Sequence, residues 1–338
     1  MDKDKLSNIA KKLVASHKGI LAADESNPTI KKRFDSIDIE STENNRRDYR
    51  ELLFSTQGIE DYISGIILYE ETLYQKSSKG QLLSELLQSK DVIPGIKVDK
   101  SAKDFIGFPG EKITEGLDGL YDRMKNFYDD GARFSKWRAV ITIGDQIPSA
   151  QCIELNAVLL ARYAITSQEA GLVPIVEPEV LMDGNHEAKT CLKKTTEVIK
   201  KCFDELILQK VDLKGIILKP NMILPGTESQ EKINAEEIAY LTLKCLMESV
   251  PSEVPGIAFL SGGQSEIQAT ENLNMINLKN NSSFKMTYSY GRALQQSALK
   301  YWSKNQDDIE GTQKIFNHRA KMCTLAAKGE WKKELETN

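Results

Sequence analysis

Residues 134–179 read FSKWRAVITIGDQIPSAQCIELNAVLLARYAITSQEAGLVPIVEPE. Two short apolar runs, FSKWRAV (134–140) and VPIVEPE (173–179), flank a longer segment from Ser149 to Gly171. Within that segment Ile153, Ala157, Leu160, Ala161 and Ala164 recur at helical spacing, and a Gly closes it. Strand, helix, strand is the sequence form of a parallel βα unit. Charges sit inside the apolar runs: Lys136 and Arg138 in the first, Glu177 and Glu179 in the second. Residues two apart on a strand face the same side, so each pair projects together.

The rhythm continues in both directions. GILAAD (19–24), SGIILYE (64–70) and IPGIKVD (93–99) precede it, and GIILKPN (215–221), GIAFLSG (256–262) and FKMTYSY (284–290) follow. Eight strands alternating with helices predict a closed (α/β)8 TIM barrel. No GxGxxG follows the first strand, which weighs against a dinucleotide-binding doubly wound sheet. No Pro/Gly/Ser-rich linker divides the 338 residues, so one domain is expected, its barrel spanning about 19–303. An amphipathic N-terminal helix carrying Leu6, Ile9, Ala10, Leu13 and Val14 is predicted ahead of it. A final helix and a charged, mobile tail are predicted over about 304–338.

Composition excludes several classes. At 40% hydrophobic, 28% charged and a net charge of -4, nothing recommends nucleic acid or a membrane surface as partner. The N-terminus has no apolar signal-peptide core, and the cytosol is the expected location. Five cysteines (Cys152, Cys191, Cys202, Cys245, Cys323) fall in helix-like segments without a CxxC pair and read as reduced structural thiols. His17, His186 and His318 have no ligand-like spacing, so no metal centre and no cofactor are expected.

In a barrel of this kind the site gathers at the C-terminal strand ends. Seven of the eight ends carry charge or hydroxyl: Asp24; Lys97 and Asp99; Lys136 and Arg138; Glu177 and Glu179; Lys219; Ser261; and Ser289 leading to Arg292. One lysine at a strand end is ordinarily a solvated rim residue, and Glu177 and Glu179 could be simple ion-pair partners of Lys136 and Arg138. A barrel held only by packing needs none of the set. FLSGGQSEIQ (259–268) and YSYGRALQQSALKYW (288–302) place Gly262, Gly263 and Gly291 at turns opening helices, where backbone N–H groups bind phosphate. Lys97 and Arg138, together with Arg33, form a second cationic group; two poles suggest a sugar bisphosphate, and an anionic sugar with one phosphate also fits. Lys219, if neutral, can attack a ketone to give an iminium, an electron sink for C–C cleavage. Burial and the Lys136 cation lower its proton affinity, and Glu177 on the adjacent strand can move protons.

The stretches KGILAADES, GIKVDK, KWR, ARYA with VPIVEPE, GIILKPNM, FLSGGQSE and SYGRALQ resemble the class I fructose-bisphosphate aldolase family, in family order from about residue 5 to 330. The resemblance implies a cytoplasmic homotetramer that reversibly cleaves fructose 1,6-bisphosphate to dihydroxyacetone phosphate and glyceraldehyde 3-phosphate, without metal. It implies Lys219 as Schiff-base lysine, Glu177 as acid/base group, Lys136 as electrostatic partner, Asp24 at the hydroxyls of the cleaved bond and Glu179 as support. It implies Ser261, Gly262, Gly263, Ser289, Gly291 and Arg292 at the ketose 1-phosphate. Ser26, Thr29, Arg33, Lys97 and Arg138 are implied at the 6-phosphate. Two departures stand out. Asn27-Pro28-Thr29 replaces a Thr-Gly-Ser-like turn, with Pro28 expected to stiffen a loop, and no Tyr follows Tyr301 where many members carry a terminal Tyr. Removing residues 330–338 is therefore expected to spare carbanion protonation. The alternatives are a Schiff-base aldolase acting on a related ketose phosphate such as fructose 1-phosphate, and a scaffold role of the tetramer surface.

Overall fold

The computed structural model describes residues 1–337, of Ser16 the backbone only; Asn338, the end of the tail, lies outside them. All eight apolar runs form strands, and the chain adds one hairpin that they do not announce. The strands are β1 (Gly19–Ala23), β2 (Ile63–Leu68), β3 (Ile93–Lys97), β4 (Ala102–Asp104), β5 (Lys112–Thr114), β6 (Phe134–Ile141), β7 (Val173–Val180), β8 (Ile217–Leu218), β9 (Gly256–Phe259) and β10 (Lys285–Tyr290). The helices before the midpoint of the barrel are α1 (Lys3–Leu13), α2 (Asn27–Asp35), α3 (Glu43–Ser55), α4 (Glu70–Tyr74), α5 (Leu83–Ser89) and α6 (Leu120–Asp129). Those after it are α7 (Ala150–Glu169), α8 (Ala188–Leu208), α9 (Ala235–Ser249), α10 (Glu266–Lys279), α11 (Arg292–Lys304) and α12 (Ile309–Lys328). Eight strands pair in parallel around a closed barrel, β1-β2-β3-β6-β7-β8-β9-β10 and back to β1, while β4 and β5 pair apart as an antiparallel hairpin. The fold is a TIM barrel.

Two apolar clusters divide the work. The larger lies between strands and surrounding helices; the smaller fills the barrel interior. Into the smaller, α1 inserts Leu6, Ala10 and Leu13, followed by Val14, against Ile20, Ile67, Phe134, Ile175, Ile217 and Ala258. The amphipathic N-terminal helix thus closes the bottom of the barrel. Its approach requires bare backbone at the strand starts: a Cβ on Gly256 would sit 2.6 Å from Val14 Cγ1, and one on Gly65 would sit 2.7 Å from Leu13 Cδ2. Gly256→Ala is therefore expected to lower stability by about 1–3 kcal/mol through overpacking, read as a lower denaturation midpoint with unchanged m.

Strand alternation carries this interior set upward into polar residues. Ile217 faces inward and Leu218 outward, so Lys219 faces in; Phe134 faces in and Trp137 out, so Lys136 and Arg138 face in. The same step from Ile175 reaches Glu177 and Glu179, and from Ile20 and Ala22 it reaches Asp24.

Two expectations need correction. GIIL (215–218) reads as a buried strand with Pro220 just behind it, yet β8 has only two residues, Ile217 and Leu218. Gly215 ends a 3-10 turn, and Pro220 has no N–H to donate. Beyond it the buried Asn221 side chain bonds to β7 and α8, its Oδ1 accepting from Val180 N at 3.0 Å and its Nδ2 donating to Thr195 Oγ1 at 3.2 Å. The chain nevertheless stays in line, since Lys219 N donates to Val176 O at 2.8 Å. The tail is the second case, because it is docked. Trp331 is buried, its backbone N–H donates to Asn274 Oδ1 at 3.0 Å, and its indole donates to Glu336 Oε1 at 2.8 Å. Glu336 also pairs with the buried Arg319. A tryptophan in a polar-looking segment supplied the apolar anchor. All five cysteines are free and buried in helices.

Candidate active site

The upper mouth of the barrel is a cleft of about 540 Å³. Fifteen of the sixteen residues that the resemblance places at the site line it; the exception is Gly263. Gly263, at φ +72°, turns toward Met182 and Thr227 in an adjoining groove.

At the centre are two lysines and two carboxylates. Lys219 Nζ lies 3.2 Å from Glu177 Oε1, and Lys136 Nζ lies 3.1 Å from Glu177 Oε2. Lys136 also donates to Asp24 Oδ2 at 3.0 Å. Glu177 thus bridges the lysines with one oxygen each. Lys219, Lys136 and Glu177 are buried, so their charges interact in a medium far less screening than water.

Their proton affinities separate accordingly. Burial lowers the Lys219 pKa below the ordinary lysine value; Glu177 opposes this, and the Lys136 cation lowers it further. Burial also works against the Lys136 charge, but Asp24 and Glu177 outweigh it and hold this ammonium well above the usual lysine range. Burial would raise Asp24, yet Lys136, Lys219 and Lys97 together keep its carboxyl well below the ordinary range. The result is one lysine ready to lose its proton beside one that keeps it. Divergent pKa values on neighbouring like groups are a mark of assigned acid and base roles.

The flanks carry the phosphate candidates. On the β3/β6 side Lys97 pairs with Asp99 at 2.6 Å and Arg138 with Glu179. On the β9/β10 side stand Ser261, Gly262, Ser289, Gly291 and Arg292, the last opening α11. Ser289 Oγ is buried without a hydrogen-bond partner in the described structure. Arg33 does not join Lys97 and Arg138 as expected. A Cβ on Gly291 would lie 3.5 Å from Arg33 Nη2, which puts this guanidinium at the β10 end. The reason is topological: α2 follows β1, and β1 pairs with β10 to close the barrel. Nor is Asn27–Thr29 a stiffened loop. It is the first turn of α2, where Pro is well tolerated, and Ser26 Oγ meets Thr29 Oγ1 at 3.1 Å.

Glu25 and Ser101 also line the cleft and were not singled out. Glu25 breaks the alternation by following inward-facing Asp24, and Ser101, at φ +76°, precedes the unanticipated hairpin. No strand pattern could have marked either. Among the described residues no group of His, Cys, Asp and Glu is arranged to hold a metal ion.

Lys219, Glu177, Lys136 and Asp24 thus form one ion-paired cluster at the mouth of a TIM barrel, flanked by cationic and Gly-rich turns. Comparison with known proteins gives the family. The model of the class-I fructose-bisphosphate aldolases matches residues 5–338. The probable class 1 fructose-bisphosphate aldolase of Xanthomonas campestris is 50% identical over 333 residues, 98% of this chain and 100% of that one. The cytosolic fructose-bisphosphate aldolase 4 of Arabidopsis thaliana is 52% identical over 316 residues, 93% of this chain and 80% of that one. Among solved structures, fructose-bisphosphate aldolase from Plasmodium falciparum, in complex with TRAP and a small-molecule inhibitor, superposes with TM-score 0.96 at 45% identity, covering 98% of this chain and 96% of that chain. The chain belongs to the class I fructose-bisphosphate aldolase family. It is an aldehyde-lyase that cleaves fructose 1,6-bisphosphate reversibly in glycolysis, and neither alternative activity is favoured. No described helix is long and apolar enough to cross a membrane.

Proposed function

We propose that Lys219 is the Schiff-base lysine and that Glu177 moves its protons. The observation that carries this is the 3.2 Å contact between them inside a buried cluster that lowers the Lys219 pKa. Glu177 takes a proton from the Lys219 ammonium, and the amine attacks the substrate C2 carbonyl carbon. Glu177 returns the proton to the carbinolamine oxygen, which leaves as water, so the iminium inherits the ammonium charge and no net proton is consumed. Glu177, again a carboxylate, accepts the C4 hydroxyl proton as the C3–C4 electron pair moves into the iminium, releasing the aldehyde and leaving an enamine. Protonation at C3 and hydrolysis free the ketone and the lysine. Asp24, held strongly acidic by Lys136, is a poor base; it orients the hydroxyls beside the cleaved bond. Glu179 holds Arg138 by their ion pair.

The 1-phosphate is assigned to Ser261, Gly262, Ser289, Gly291 and Arg292, supported by the unpartnered Ser289 hydroxyl. Gly263 contributes the turn, and Arg33 belongs with this group by position. Lys97 and Arg138, with Ser26 and Thr29 on the rim, are assigned to the 6-phosphate. The whole chain acts as one domain in a cytoplasmic homotetramer; the resemblance and the cytosolic plant relative support this.

Comparing substrates in Lys97→Ala tests the two-pole arrangement. Losing one charge-assisted bond should lower kcat/KM on fructose 1,6-bisphosphate about 10–100-fold. Activity on fructose 1-phosphate, which lacks that phosphate, should hardly change. Equal losses on both substrates would refute the assignment.

A further inference from the structure

Among the described residues the Arg33 guanidinium is held at one edge, through Nη1. Its Nη1 donates to Glu25 Oε1, while its Nη2 would lie 3.5 Å from a Cβ on Gly291, another residue of the cleft wall. A guanidinium is a rigid planar fork, so fixing one edge aims the other. Glu25 is itself fixed from two directions. The buried Gln295 of α11 donates to Glu25 Oε1 at 3.2 Å and to Ala22 O at 2.9 Å. The buried Arg50 of α3 donates to Glu25 O at 2.9 Å. Gln295 lies one turn along α11 from Arg292, so one helix presents a phosphate candidate and steadies the carboxylate behind the next.

From this we propose that Glu25 is a positioning residue: it divides the Arg33 guanidinium, keeping one edge and offering the other to the substrate phosphate at the β10 end. The proposal rests on the assignment of that end to the 1-phosphate. A carboxylate this close to a phosphate also repels it. If repulsion outweighed orientation, removing Glu25 would tighten binding; the buried, doubly braced geometry argues that orientation wins. With substrate absent, Glu25 neutralises Arg33; with substrate bound, the guanidinium bridges carboxylate and phosphate.

The test is a double-mutant cycle in the full chain, reading KM for fructose 1,6-bisphosphate, kcat, and the dissociation constant of inorganic phosphate. Glu25→Ala should raise KM and the phosphate constant about tenfold with kcat changed less than about threefold. Glu25→Gln keeps an acceptor for Nη1 and should recover most of the loss; it also covers the case in which the alanine variant does not fold. Arg33→Ala should raise KM at least as much, and adding Glu25→Ala to it should change KM no further. A lower KM in either Glu25 variant, additive losses in the double variant, or a fall in kcat at constant KM would overturn the proposal. If Arg33→Ala leaves KM unchanged, the phosphate assignment at this end fails and takes the proposal with it. A raised KM in Arg33→Ala with wild-type KM in Glu25→Ala overturns the positioning role alone.

Discussion

Lys219→Met should remove aldol cleavage and at the same time leave the protein as stable as before or more so. Methionine matches the length of the lysine stem and packs among the same buried neighbours, but it cannot form a covalent intermediate. Removing the nucleophile in covalent catalysis costs on the order of 10⁵-fold in kcat or more. The stability sign follows from the lowered pKa. An unfolded lysine is protonated at neutral pH, whereas burial disfavours the charged form here, so this side chain opposes folding, by an amount that begins to fall as pH rises through its depressed folded-state value and vanishes only above the ordinary lysine value. Glu177 keeps its second cation, Lys136, at 3.1 Å in the variant. Activity assays with thermal melts read both quantities. A variant with residual activity within tenfold of wild type would remove Lys219 from the mechanism.

Lys136→Met should act in the opposite sense on stability. Lys136 is the shared partner of Asp24 and Glu177, and its removal leaves two carboxylates with Lys219 as the remaining central ammonium. Breaking a buried ion pair from one side costs about 3–5 kcal/mol. The sign for pH is also set. With the repelling cation gone, Lys219 binds its proton more tightly, so the neutral amine appears only at higher pH. Schiff-base formation should therefore shift to higher pH, and kcat at neutral pH should fall about 10²–10⁴-fold. The pH profile of adduct formation checks this; a shift to lower pH would show that Lys136 does not depress Lys219. Similar substitutions at two neighbouring lysines are thus expected to move stability in opposite directions.

The barrel and the central cluster were legible because one rule generates both. The two-residue period that buries Ile175 and Ile217 also delivers Glu177 and Lys219 inward, and charges set into otherwise apolar runs reveal the mouth. What stayed hidden depended on contacts between distant segments. Arg33 reaches the β10 end because the barrel closes β1 against β10, which no local pattern records. The short β8 hides behind Asn221, whose side-chain oxygen accepts from Val180 N where regular pairing with β7 has stopped. The tail reads as charged until Trp331 finds Asn274 and Glu336. Glu25 looks like a bystander beside Asp24 until α3 and α11 close around it.

The central claim is that one buried amine, Lys219, forms the covalent bond. The most direct measurement is borohydride reduction of the enzyme in the presence of dihydroxyacetone phosphate, followed by peptide mass spectrometry. The account predicts a single reduced adduct on the peptide carrying GIILKPNM, at Lys219, and its disappearance in Lys219→Met. An adduct on Lys136 or another lysine, or cleavage without any trappable adduct, would contradict it.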